Sequence, residues 1–299
     1  MHEHNVSITE PLSSRRRVWN GTMRALLYAA AIVICALLVF LIAYILYRGI
    51  PHLSWQFLTS EESVINDVKG ILPAIINTAY VIVATLIIVL PLGVGSAIYL
   101  TEYATNRKLV GIIEFASETL SGMPSIIFAL VGMMVFCQAF GLGTSLIAGS
   151  LSLVMMTLPT IIRTTQESLK TVPQSYREGS LALGSGKWHM IRTVVLPSSI
   201  DGIVTGCILA VGRIVGESAI LMFTAGMGIR MAKFGGETIA KFFSNFFGAS
   251  GATLTVALYN YAKENADFDS AFAVAVVLLV IAFVINIAAK LAGRKLKKN

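Results

Sequence analysis

The chain has 299 residues, of which 56% are apolar and only 13% charged, with a mean hydropathy of +0.76 and a formal net charge of +7. Soluble domains carry about 25% charged residues, so this composition excludes a soluble globular fold and points to an all-α, polytopic membrane protein. Three cysteines, Cys35, Cys137 and Cys207, lie far apart inside apolar runs, which argues against a disulfide or metal framework and for small hydrophobes in the core.

Residues 1–23 form a polar tail carrying Arg15, Arg16 and Arg17. The apolar run from Leu26 to Tyr47 is long enough to span at about 20 residues per crossing, and no small-residue cleavage site marks it as a signal peptide; the segment 24–47 is therefore expected to be an uncleaved first span. Residues 48–70 read as a polar loop. A second span, Ile71 to Leu100, contains Pro73, Pro91, Gly93 and Gly95. Such breakers survive in lipid only where neighbours satisfy the freed backbone groups, so this span belongs inside a bundle. The third span, Ile112 to Phe140, opens on an amphipathic stretch from Glu114 to Leu120 and is interrupted at Ser121-Gly122-Met123-Pro124-Ser125, the pattern of a broken helix lining protein or a pathway. After a Gly141-Leu142-Gly143 turn comes a fourth span, Ser145 to Arg163, kinked at Pro159. The fifth runs from Ser198 to Phe223. Residues 225–268 read as a long loop too apolar to float freely, with Phe242, Phe243, Phe246 and Phe247 and an amphipathic stretch from Ile239 to Phe247. The last span, Ala271 to Leu291, closes a core over residues 71–291 and leads to a basic tail, 292–299.

Between the fourth and fifth spans lies a polar, glycine-punctuated segment, 170–197. Ser175 can cap a short helix, with Glu178 completing a capping box. Gly184-Ser185-Gly186 then breaks it, because a tight turn needs residues that tolerate positive φ. Trp188, Met190 and Ile191 restore an apolar face, and Pro197 is expected to restart the chain as a new helix. The product is an elbow lying against the bilayer and presenting a knob.

Orientation follows from counting charge. With the N-terminus inside, 15 of the Lys and Arg residues fall in inner segments and 6 in outer ones, so the positive-inside rule puts both termini and the elbow in the cytoplasm. Six spans fit that parity. The +7 charge reflects this bias and attraction to anionic membrane lipid, and nucleic acid need not be invoked. Trp19, Trp55 and Trp188 fall near the expected interfaces, as belt anchors do.

Two arginines remain outside any loop. Arg163 ends the fourth span and Arg213 sits within the fifth, four residues before Glu217. An arginine at the bilayer centre costs about 2.5 to 3.5 kcal/mol on insertion scales, so it needs a partner or a wet cavity. On a helix Arg213 and Glu217 would share a face, making an intrahelical ion pair available; the pair is either a structural tie between helices or part of a substrate path, the reading favoured for intramembrane charge. Arg163 is equally readable as a snorkelling helix end. If both arginines line one route, an oxyanion is the natural cargo, since the guanidinium fork matches it bidentately.

The elbow, read as Glu178-Gly179-Ser180, three residues, Gly184, nine residues and Val194-Val195-Leu196-Pro197, resembles the EAA loop of ABC importer permeases. It departs from the usual wording in having Gly179-Ser180 where two alanines are commonest and Val194 where isoleucine is. Further runs, among them Asn77-Thr78, Ala97 to Ala104, Leu120 to Ile127, Ile162 to Thr165, Arg213 to Ala219 and Leu254 to Tyr259, are similar to the PstA-type permease subunits of bacterial high-affinity phosphate importers over about residues 70–290. Ile220 stands where that family commonly has proline. The resemblance implies a type I ABC importer permease (MetI-like) fold in the bacterial inner membrane. It implies a translocation pathway along Arg163, Arg213 and Glu217, and ATPase coupling through Arg177, Glu178, Gly179, Ser180, Ala182, Leu183 and Gly184. The implied partners are a homologous permease of PstC type, two copies of a PstB-type ATPase and an extracytoplasmic PstS-type phosphate-binding protein.

No Walker A pattern occurs in the chain, so ATP would be bound and hydrolysed by the partner ATPase and the chain is expected to carry no cofactor and no enzymatic activity. A permease for sulfate or molybdate is the alternative within transport. A membrane-embedded enzyme is the distant one: Glu114 and Glu118, one turn apart, could bind a divalent metal, but a solvated helix face is the commoner use. Of the histidines, only His2 and His4 lie near each other, and His52 and His189 stand alone.

Overall fold

The computed structural model describes residues 14–62, 69–228 and 248–298. Residues 1–13 of the polar tail, with His2 and His4, Asp67 of the first loop and the Ile239 to Phe247 stretch lie outside the described residues. The chain divides into two units, residues 1–48 and 49–299.

The described residues of the first unit form one helix, α1 (Ser14–Gly49). It begins about three turns before the expected span, because Arg15, Arg16 and Arg17 are good helix formers with no breaker among them. Leu26, Leu27, Ile32, Val33, Leu37, Leu38 and Phe40 are all exposed. A helix apolar around its whole circumference is a membrane-spanning helix rather than the flank of a soluble core.

The second unit is a helical bundle. After the short α2 (Trp55–Thr59) come α3 (Leu72–Ile98), which widens into a π-turn over Tyr99–Tyr103, and α4 (Arg107–Ser121). Then follow α5 (Ser125–Gly132), α6 (Leu146–Lys170), α7 (Gln174–Ala182), α8 (Lys187–Met190), α9 (Leu196–Gly216) and α10 (Ala219–Thr224). The unit ends with α11 (Leu254–Tyr259) and α12 (Phe268–Lys298). Among the described residues, five helices are long and apolar enough to cross a membrane, and a sixth crossing is available in the bent pair of α4 and α5.

The expected break in the third span is present: its halves meet at 102° across Gly122-Met123-Pro124, because proline lacks a donor and disfavours helix at the residue before it. Two differences from the expected elements have clear causes. The fifth helix starts before Pro197 instead of at it. Backbone continues from Lys187 to Gly216 through a π-turn over Ile191–Val195, the wider winding that lets a ladder absorb a proline lacking its N–H. Within the expected 225–268 loop, α11 and the following π-turn over Asn260–Glu264 are helical, and Leu254, Val256, Ala257 and Tyr261 are buried.

The main core joins Val81 and Ile82 of α3, Phe128 of α5, Leu153 and Met156 of α6, Val211 and Ile214 of α9 and Val256 of α11. Buried polar groups fix the return of the chain towards α11. The Asn77 amide donates to the carbonyl of Ala252, while Thr78 Oγ1 donates to Ala74 and accepts from the N–H of Leu254 at 2.9 Å. Helices α6 and α9 approach closely because Gly202 and Gly206, one turn apart on α9, leave room for Ser168 and Thr164 of α6, the small-residue contact that lets membrane helices touch backbones. At the end where α3 begins, Lys69 Nζ lies 2.6 Å from Asp267 Oδ2, and Asp267 caps α12 by accepting from the N–H and hydroxyl of Ser270.

Candidate functional site

The elbow stands on a small core of its own. Ala97 and Ile98 at the end of α3, Leu169 and Val172 at the end of α6, Met190 at the end of α8, and Ile191 and Val195 in the π-turn after it are buried together. Helix α7 lies across this platform with no fully buried residue. Its cap differs from the expected box. Pro173, at φ −57° and ψ 141°, precedes the first turn, and no side chain caps it, because the helix begins at Gln174 and so places Ser175 inside the turn rather than before it.

Gly184 ends the helix at φ +82°, a left-handed conformation that costs a residue with a Cβ roughly 1–2 kcal/mol. Its N–H donates to Leu181 at 2.9 Å. The hydroxyl of Ser185 donates to the carbonyl of Ser180 at 2.8 Å and lies 2.7 Å from the Ser180 hydroxyl. Ser180 thus contributes a tie across the turn that an alanine there could not. Tyr176, Leu181 and Leu183 project outward, Leu183 with 91% of its surface exposed. Glu178, Gly179 and Ala182 are exposed as well.

Arg177 turns the other way. Its Nε and Nη2 donate to Glu102 Oε1 at 3.2 and 2.9 Å, its Nη1 to the carbonyl of Val172 at 2.6 Å, and its Nη2 to that of Leu169 at 2.9 Å. Glu102 was not singled out by sequence reasoning. The available signal was a lone carboxylate closing an apolar span at Thr101-Glu102-Tyr103.

A second set of charges gathers along α6. Arg163 donates from Nε to Glu167 at 3.0 Å and from Nη1 to Glu118 of α4 at 3.3 Å, with about half its side chain exposed. One and two turns further on, Gln166 and Lys170 both reach Glu114, at 3.2 and 3.1 Å. These residues line a cleft of about 180 Å³ between α4 and α6. Glu114 and Glu118 are therefore each engaged by a cation of α6.

Arg213 of α9 is half-buried, and its Nη1 donates to Thr160 Oγ1 of α6 at 3.4 Å. Thr160 precedes Arg163 by three residues, so the two share a helix face and the arginines stand within a turn of each other along α6. The intrahelical pair of Arg213 with Glu217 does not form. Helix α9 stops at Gly216, and Glu217 is extended at φ −82° and ψ 122°. Its Oε1 accepts from the N–H of Ile220 at 3.3 Å, and its carbonyl accepts from Thr255 Oγ1 of α11 at 2.9 Å. A proline at 220 would have no N–H to offer.

The helical bundle has parallels among known proteins. The model of the binding-protein-dependent transport system inner membrane component family matches residues 89–298. The chain belongs to that family. It is accordingly a multi-pass inner-membrane permease component. Among curated relatives, the probable ABC transporter permease protein YqgI of Bacillus subtilis is 39% identical over 212 residues, 71% of this chain and 72% of that one. The phosphate transport system permease protein PstA 1 of Mycobacterium tuberculosis is 29% identical over 293 residues, 94% of this chain and 91% of that one. Among solved structures, a bacterial alginate ABC transporter in complex with alginate pentasaccharide-bound periplasmic protein aligns with a TM-score of 0.65 at 13% identity, over 95% of this permease and 97% of that chain. That likeness establishes the ABC importer permease fold expected from the sequence.

Proposed function

We propose that this permease forms half of the translocation pathway of an ATP-driven importer of inorganic phosphate. The observation that carries the reading is the arginine arrangement, with Arg213 held by Thr160 one turn from Arg163, in a chain similar to a phosphate permease over nearly its whole length. Arg213, with its 3.4 Å bond to Thr160, offers a forked donor to a tetrahedral oxyanion, and Arg163 would do the same on exchanging Glu167 and Glu118 for the anion. Glu217, fixed at the break after α9, completes the charged lining.

Coupling runs through the elbow. Its outward knob, with Glu178, Gly179, Ala182, Leu183 and Gly184 exposed, docks a separate ATPase subunit of PstB type, which binds and hydrolyses the ATP. A homologous permease of PstC type supplies the other half of the route, and a PstS-type binding protein delivers phosphate from outside. The elbow and both termini face the cytoplasm, supported by the excess of inner Lys and Arg residues.

Uptake of radiolabelled phosphate in cells lacking this chain, before and after its return on a plasmid, tests the reading. Restored uptake that survives excess sulfate and molybdate is the expected result. Uptake abolished by either competitor reassigns the cargo to that oxyanion, and no restored uptake of any of the three rejects an oxyanion permease.

A further inference from the structure

The elbow has two faces, and only one of them points outward. While Tyr176, Leu181 and Leu183 project away, the Arg177 side chain is only 12% exposed and its partner Glu102 only 6%. A guanidinium carries five donors in a rigid fork, and four bonds of this one reach two separate elements. Two go to Glu102 in the π-turn that ends α3, and two go to the carbonyls of Leu169 and Val172. Leu169 lies in the last turn of α6, where carbonyls have no intrahelical partner and the helix dipole favours a cation. Arg177 therefore closes the end of α6 with its donors and grips the end of α3 with its charge.

On one side the grip borders a cleft of about 460 Å³ lined by Thr101, Gln174 and Leu181, and on the other it is backed by packed side chains. The buried platform of Ala97, Ile98, Leu169, Val172, Met190 and Ile191 lies beneath it, and Lys187 Nζ sits 5.0 Å above the ring of Tyr103, a second tie between the elbow and the same π-turn. Cores packed at crystal-like density transmit displacement instead of absorbing it. A π-turn inserted where a helix could have continued re-aims the residues that follow it, and here it brings Glu102 under α7. Helix α6 then leads, over two further turns, to Arg163 and to the Thr160 hydroxyl that holds Arg213.

We infer that Glu102 and Arg177 are a positioning pair that converts displacement of the elbow into joint movement of α3 and α6, and through α6 into movement of the arginine face. The inference rests on the reading of the chain as an ATP-driven permease. It separates the elbow residues by direction: the outward ones meet the ATPase, and Arg177 meets the spans. Neutralising Glu102 leaves the knob intact while loosening its connection, so hydrolysis persists and transport does not follow it.

The test uses the full complex reconstituted in vesicles with its ATPase, partner permease and binding protein, and reads radiolabelled inorganic phosphate taken up per ATP hydrolysed. Glu102→Gln is expected to assemble, to keep hydrolysing ATP, and to lower that ratio about tenfold, within the range of measured coupling between sites. Arg177→Lys, which keeps the charge but not the fork, is expected to fall between. An unchanged ratio in an assembled Glu102→Gln complex overturns the inference. If that variant does not assemble, an unchanged ratio in Arg177→Lys overturns it instead, and loss of assembly in both assigns the pair to architecture alone. A wild-type complex that couples neither phosphate, sulfate nor molybdate uptake to hydrolysis is a failure of the permease reading, distinguishable from a coupled wild type whose variants stay coupled.

Discussion

Arg213 makes one long hydrogen bond, 3.4 Å to a threonine hydroxyl, and that modest tie separates its structural from its functional worth. A hydrogen bond from a charged donor contributes about 1.5–3 kcal/mol at good geometry, but this one is at the long limit for N–H···O and a glutamine amide can still donate, so Arg213→Gln should shift the thermal midpoint of the purified complex little. A charge-assisted fork on an oxyanion is roughly twice as strong per bond, so phosphate uptake should fall by about tenfold or more while assembly, read by co-purification of the partners, persists. Uptake at the wild-type level in an assembled Arg213→Gln complex would assign this side chain to packing. Asp267 is the opposite case, a carboxylate whose work is structural. Burial alone would raise its pKa, but the Lys69 ammonium and the two bonds from Ser270 outweigh it and hold the group at about 2. Since an unfolded aspartate titrates near about 3.9, the stabilisation is complete above that value and is lost as pH falls through it towards the folded one. Asp267→Asn should therefore flatten the acid limb of a stability profile between about pH 4 and pH 2 and lower stability near neutrality by a constant amount. An acid limb unchanged in the variant would show that the Lys69 contact carries no stability.

Helices that owe their existence to one long apolar run were legible from sequence, and those that depend on which way a side chain turns were not. Helices α1, α3, α6 and α12 announce themselves by length and hydropathy, and the break between α4 and α5 by its Gly-Met-Pro. Gly184 was legible because a polar turn between two apolar faces leaves few residues able to adopt φ +82°. The end of α9 was hidden, since Gly216-Glu217-Ser218 reads equally well as a charged stretch of helix. Only the capture of Glu217 by Ile220 and Thr255 shows that local side-chain bonding wins over the helix ladder. Helix α11 was hidden because six residues are too few for periodicity to separate helix from buried loop. Spacing placed Arg177 in the elbow but could not say that it faces the spans. The approach of α6 to α9 was legible only as glycines, yet it sets a sharp expectation. A Cβ on Gly206 would collide with the Thr164 hydroxyl and one on Gly202 with that of Ser168. Overpacking of this kind costs typically 1–3 kcal/mol. Gly206→Leu should lower the melting temperature measurably, while Gly212→Ala, where nothing lies near the missing Cβ, should not. Equal melting of the two variants would mean that α9 is free to slide away from α6.

At the scale of the whole molecule, every functional assignment depends on which side of the membrane the elbow occupies. Packing leaves the side open, for a bundle inverted in the bilayer keeps all its internal contacts. The decision rests on charge. Lys and Arg near span ends resist translocation, and the elbow end collects Arg107, Lys108, Lys170, Arg177, Lys187 and Arg192, whereas the end around α11 holds Lys69 beside Asp267 and Lys263 beside Glu264. The asymmetry survives in the folded protein: Glu102, Glu114, Glu118 and Glu167 engage Arg177, Lys170 and Arg163, while Arg107, Lys108 and Arg192 stay exposed. Single cysteines settle the side directly. In a background with Cys35, Cys137 and Cys207 replaced by alanine, Gly186→Cys marks the exposed elbow turn and Asn265→Cys the exposed turn before α12. A membrane-impermeant maleimide should label position 265 in intact cells and position 186 only after permeabilisation. The reverse pattern would place the knob outside, beyond reach of any cytoplasmic ATPase, and would remove the energy source from the importer; labelling of both positions in intact cells would mean a mixed orientation that 15 inner charges against 6 outer do not allow.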